Sequence, residues 1–103
     1  MPTRHIVLVR VRPDVPADDI QRAFDALAAL QGQIPGLLSF SAGPNNSPEG
    51  RAEGYTHGFV MDFADAAARD GYLPDPRHKE AAAGLRAIRE TSPGATLVYD
   101  YDY

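Results

Sequence analysis

The stretch YTHGFVMDF, residues 55–63, decides how the chain is read. Its alternate residues Tyr55, His57, Phe59, Met61 and Phe63 are apolar or aromatic, and side chains alternate between the two faces of a strand. One face is therefore bound for a core, and it carries an imidazole. Before it, residues 43–54 read GPNNSPEGRAEG, too rich in glycine, proline, asparagine and serine to be anything but a loop. That loop is long for a hairpin connection.

Further out, HIVLVRVR at residues 5–12 is β-branched and apolar until Pro13 stops it, which predicts a first strand. His5, Val7, Val9 and Val11 share one face. Pro16, Asp18 and Asp19 open a helix whose apolar residues Ile20, Phe24, Leu27 and Leu30 recur at helical spacing, with Ala23 beside them. Gly32 and Pro35-Gly36 end it, and residues 37–42 form a second strand. Residues 64–73 predict a short helix, and Pro76 begins a longer one reaching about Thr91. Residues 95–101 give a last strand, with Ala95, Leu97, Tyr99 and Tyr101 assigned to the core face. The order β-α-β-β-α-β is the ferredoxin-like α+β arrangement, an antiparallel sheet with its helices on one face.

The other face is expected to hold Ile6, Leu8, Val60 and Val98 beside Arg10, Asp62 and Asp100. An apolar patch of that kind marks an interface, which predicts a two-fold homodimer formed through the sheet face, with Asp62, Asp100 and the arginines pairing across it. The 103 residues suit one domain spanning 1–103. A net charge of −4 argues against nucleic acid as a partner. The absence of cysteine excludes disulfides, thiolate metal sites and cysteine nucleophiles. No leader and no long apolar run is visible, so the expectation is a cytoplasmic protein without a membrane partner.

Chemistry gathers in YLPDPRH, residues 72–78. Asp75 is placed to cap the second long helix with Pro76 as its first residue, which puts His78 in the first turn. The positive end of a helix disfavours imidazolium, although Asp75 and Glu80 oppose this. A neutral imidazole can act as a general base, and the Tyr72 hydroxyl can hydrogen-bond a carbonyl oxygen that becomes an enolate. The alternatives are a surface histidine in a helix cap and an aromatic at the core edge. His57 reads equally as a core histidine satisfied by a carbonyl. Its shared parity with His5, on a neighbouring strand, predicts that the two rings lie near each other.

HIVLVRVR, IPGLLSF, SPEGRAEGYTHGFVMDF, YLPDPRH and LVYDY together resemble the stress-responsive dimeric A/B barrel (Dabb) family across nearly the whole chain. The resemblance implies a dimeric α/β barrel. Many members are known only as stress-associated proteins, while olivetolic acid cyclase, a plant polyketide cyclase, closes a linear poly-β-ketone by intramolecular aldol condensation. Its histidine base and its tyrosine fall on His78 and Tyr72, and its other histidines on His5 and His57. No cofactor is implied. The expected pocket, between helices and sheet, is lined by His5, His57, Val7, Val9, Leu27, Phe59 and Leu73 and takes a small hydrophobic or polyketide-like ligand. Two departures stand out. Asp75 replaces the first histidine of H-P-x-H, and Leu27 replaces a tyrosine of the cyclase. Some members hold a cation on backbone carbonyls, which fall here on Gln31, Ile34 and Leu37. A non-catalytic stress-associated dimer and a cofactor-free monooxygenase are the alternative functions.

Overall fold

The computed structural model describes residues 1–103. Its elements run β1 (Thr3–Val9), α1 (Ala17–Ala28), β2 (Leu37–Pro44), β3 (His57–Phe63), α2 (Ala66–Tyr72), α3 (Pro76–Ile88) and β4 (Thr96–Asp102). The four strands form one antiparallel sheet in the order β2-β3-β1-β4. This is the expected ferredoxin-like fold. The strands begin or end up to three residues from their expected limits, which is where assignments by pattern are weakest.

Local chemistry sets the helix starts. The Asp65 carboxylate accepts the Ala68 N–H at 2.8 Å and opens α2. Asp75 does the same for α3, accepting the Arg77 N–H at 2.8 Å, with Pro76 just inside, where its missing N–H costs nothing. Before β2, the chain turns at Gly36, whose φ of +80° a side-chain-bearing residue rarely adopts.

The core lies between the helices and one sheet face. Val7, Val9, Phe59, Met61 and Phe63 pack there against Phe24 and Leu27 of α1 and Ala81, Leu85 and Ile88 of α3. The expected parities of β1 and β3 hold. That of β4 does not. Its register pairs Asp100 with His5, Val98 with Val7 and Thr96 with Val9, so these β4 residues belong to the helix side. Leu97, Tyr99 and Tyr101 pair with Leu8, Ile6 and Arg4 on the open face and are all exposed. Of the set assigned to the core, only Ala95, just before the strand, is buried. The reason is lateral. β4 is an edge strand that the helices do not cover, so Val98 stays 55% exposed although it faces their side.

Two further expectations are corrected. His5 pairs with Met61, and His57 pairs with Val9, so the two histidines stand four residues apart along paired strands. The acids also pair inside the chain. Arg4 Nε donates to Asp62 Oδ1 at 2.8 Å across β1 and β3, and Asp100 is on the helix side.

Candidate active site

Three elements converge beneath α3. The end of α2 supplies Tyr72, the first turn of α3 supplies His78, and β1 supplies His5. The Tyr72 and His78 rings lie 4.1 Å apart between centroids, inclined by 33°. His5 stands edge-on to Tyr72 at 6.0 Å. All three border a cavity of about 410 Å³ that Val7, Leu27, Phe59 and Leu73 also line, a volume suited to a small organic molecule. Val9 and His57 lie outside it. Val9 is fully enclosed in the core. The His57 ring stacks on Phe24 at 5.8 Å with Nδ1 2.8 Å from the Thr56 hydroxyl.

Hydrogen bonding sets each group's role. His78 Nδ1 lies 3.0 Å from the Leu73 carbonyl. A carbonyl only accepts, so Nδ1 carries the hydrogen, and in the neutral ring Nε2 keeps its lone pair. The connection joining α2 to α3 thus orients the base it introduces. Tyr72 is 1% exposed, and its hydroxyl is sealed from solvent with no hydrogen-bond partner in the fold. Burial pushes this phenol further above its ordinary pKa. It stays protonated and has a hydrogen to donate.

His5 belongs to a chain of charges. Its Nδ1–H donates to Asp100 Oδ1 at 2.8 Å, and Arg69 Nη1 of α2 donates to Asp100 Oδ2 at 2.7 Å. Burial lowers the pKa of His5 and outweighs the neighbouring carboxylate, which acts the other way. The Arg69 cation adds to the lowering. His5 is therefore neutral near pH 7, held by Asp100 with Nε2 bare.

Because its folded pKa lies below the ordinary 6.5, the unfolded chain binds the proton more readily. The contribution of His5 to stability is present above about pH 6.5 and is lost as pH falls through the folded value. Asp100→Asn removes the opposing charge, so the His5 titration, followed through its imidazole NMR resonances, is expected to move lower still. An unchanged or raised midpoint would show that Asp100 does not hold His5 in solution.

Pattern reading missed Asp100 and Arg69 as partners of His5, and it missed Ala82, Leu85, Arg86, Arg89, Thr96 and Val98 as lining of the cavity. The helical spacing of residues 78, 82, 85, 86 and 89 is a signal that could have found the α3 members. Asp100 could have been found by moving β4 one residue in phase.

At the end of α1, the carbonyls of Gln31, Ile34 and Leu37 gain no charged side chain. The Ile34 carbonyl already accepts the Leu37 N–H at 3.2 Å, and the Gln31 amide donates to the Leu38 carbonyl at 2.9 Å. No group of three His, Cys, Asp or Glu side chains is placed to hold a metal anywhere in the chain.

Residues 3–103 match the family model described as Stress responsive A/B Barrel Domain. The chain belongs to that family. It is 30% identical over 100 residues to the stress-response A/B barrel domain-containing protein HS1 of Arabidopsis thaliana, covering 97% of this chain and 88% of that protein. A dimeric ferredoxin-like protein of unknown function from Jannaschia sp. CCS1 superposes with a TM-score of 0.88 at 32% identity over the whole of both chains. The hydroxynitrile lyase of Passiflora edulis superposes with a TM-score of 0.84 at 24% identity, covering 97% of this chain and 91% of that one. Identity that low carries the fold alone. No helix of this family member is long and apolar enough to cross a membrane.

Proposed function

We propose that this family member is a cofactor-free acid/base enzyme of the polyketide-cyclase type, with His78 as base and Tyr72 as hydrogen-bond donor. The observation that carries the reading is the buried Tyr72 hydroxyl, unpartnered beside a histidine whose other nitrogen is already committed. An unsatisfied buried hydroxyl costs about 1–3 kcal/mol, and a ligand oxygen would recover that cost. His78 Nε2 takes a proton from a carbon between two carbonyls, and Tyr72 donates a hydrogen bond to the enolate oxygen. The enolate carbon then bonds to a distant carbonyl carbon of the same chain, and imidazolium returns the proton to the resulting alkoxide. A proton between two carbonyls is already acidic, so one base and good positioning suffice. Since the hydroxyl is sealed, substrate reaches it by displacing part of the adjoining wall.

A linear poly-β-ketone thioester incubated with the protein and followed by mass spectrometry tests the reaction. Cyclised product forming faster than in buffer supports it. A rate equal to buffer would sink the catalytic reading and leave a stress-associated dimer binding a small hydrophobic ligand.

Dimerisation through the open sheet face is part of the proposal. Ile6, Leu8, Val60, Leu97, Tyr99 and Tyr101 form its apolar surface, and the Jannaschia relative is described as dimeric. Two-fold pairing of that face removes it from water. Tyr99→Asp places a charge there and is expected to convert dimer to monomer in sedimentation velocity. A variant that remains dimeric would place the interface elsewhere.

A further inference from the structure

Arg4, Arg12, Arg22, Arg69 and Arg77 each pair with a carboxylate. Arg10, Arg51, Arg86 and Arg89 pair with none, and of these Arg86 and Arg89 line the cavity that holds Tyr72 and His78. No Asp or Glu is among the lining residues, although acids outnumber Lys and Arg by 14 to 10 in the chain. The only full charges among the lining residues are thus two guanidiniums, against the sign of the protein as a whole, while Asp100 lies behind His5 and is already paired with Arg69. Arg89, the C-cap of α3, is half-buried, and its Nη1 donates to the Thr96 hydroxyl of β4 at 2.8 Å in the cavity wall. That bond uses one of its five N–H donors.

We infer that the cavity takes an amphipathic anion, an apolar chain ending in a carboxylate that Arg86 and Arg89 bind. His78, Ala82, Leu85, Arg86 and Arg89 lie along one stripe of α3 and its C-cap, with His78 at one end and the arginines at the other. At 1.5 Å per residue, 8 to 11 residues separate the two ends by ~12–17 Å, and the longer arginine side chain leans further towards the N-terminus than the imidazole does, which shortens the gap. A bridging ligand is on the order of ten chain atoms long, with its carboxylate at the arginines and its reactive end beside His78. Val7, Leu27 and Phe59 give the middle an apolar wall. Arginine suits the task because its planar fork matches a carboxylate.

The inference rests on the cavity being the substrate site, but binding tests it without turnover. Decanoate and decanol, titrated by calorimetry into the full chain, differ only in the anionic end. Decanoate is expected to bind about tenfold more tightly, with the preference shrinking as salt is raised. Arg86→Gln, at an exposed and unpaired position that tolerates change, should weaken decanoate several-fold and leave decanol unchanged. The double variant with Arg89→Gln should abolish the preference. Equal affinities in the wild type, or a preference that survives the double variant, would overturn the assignment. Tyr72→Phe separates this from the proposed chemistry, because it should keep the decanoate preference. If no poly-β-ketone is turned over and that preference is intact, the catalytic reading fails and the anion site stands.

Discussion

His78→Ala is expected to lower turnover of a cyclisable poly-β-ketone by about 10²–10⁴-fold, the usual worth of a positioned general base. The imidazole is fixed at one nitrogen by the Leu73 carbonyl, so the lost function resides in the other nitrogen. kcat should carry most of the loss, since proton abstraction belongs to the transition state, while KM changes little. The Leu73 hydrogen bond is exposed and local, so stability should fall by no more than about 0.5–1.5 kcal/mol. Urea denaturation beside the rate assay separates the two effects. Turnover within a few-fold of wild type would remove His78 from the mechanism.

Tyr72→Phe is expected to move stability and activity in opposite directions. The hydroxyl is buried without a partner, so deleting it relieves a desolvation cost and should raise stability by about 1 kcal/mol, with little cavity created. The ring contacts with Phe63 at 5.2 Å and with His78 at 4.1 Å survive in phenylalanine. Catalysis loses the donor that meets the enolate oxygen, a loss of about 10²–10³-fold in kcat by comparison with other oxyanion donors. A purely structural tyrosine gives the stability gain without the loss of turnover. If stability falls, the hydroxyl has a partner in solution. If turnover holds, the enolate oxygen is stabilised elsewhere.

Much of this architecture was legible because one face of each central strand is buried. His5, Val7 and Val9 alternate with outward residues, Phe59, Met61 and Phe63 do the same, and these sets fall on the helix side as their parity implies. Asp75-Pro76 marked the start of α3, because capping and a missing N–H act within a few residues. The pairing of Tyr72 with His78 was carried by the resemblance to the family, and the short connection between α2 and α3 is what brings the two rings together.

β4 shows where such reading ends. Alternation reveals that a strand has two faces, but not which one is covered. Leu97, Tyr99 and Tyr101 are more apolar than Thr96, Val98 and Asp100, yet it is the second set that faces the helix side. An open sheet face destined for a partner chain attracts the same residue types as a core. The contrast between His5 and His57 has a similar origin, because equal parity says nothing about distance along paired strands, and the register sets them four residues apart.

The sequence by itself determined the element order, the helix starts and the buried faces of β1 and β3 through periodicity and contacts a few residues long, and the family resemblance paired Tyr72 with His78. Only the tertiary structure decided that Asp100 and Arg69 hold His5, that His57 and Val9 stay out of the cavity, and that Arg86 and Arg89 line it. These depend on strand register and on which strand the helices leave uncovered, quantities fixed by packing between segments far apart in the chain.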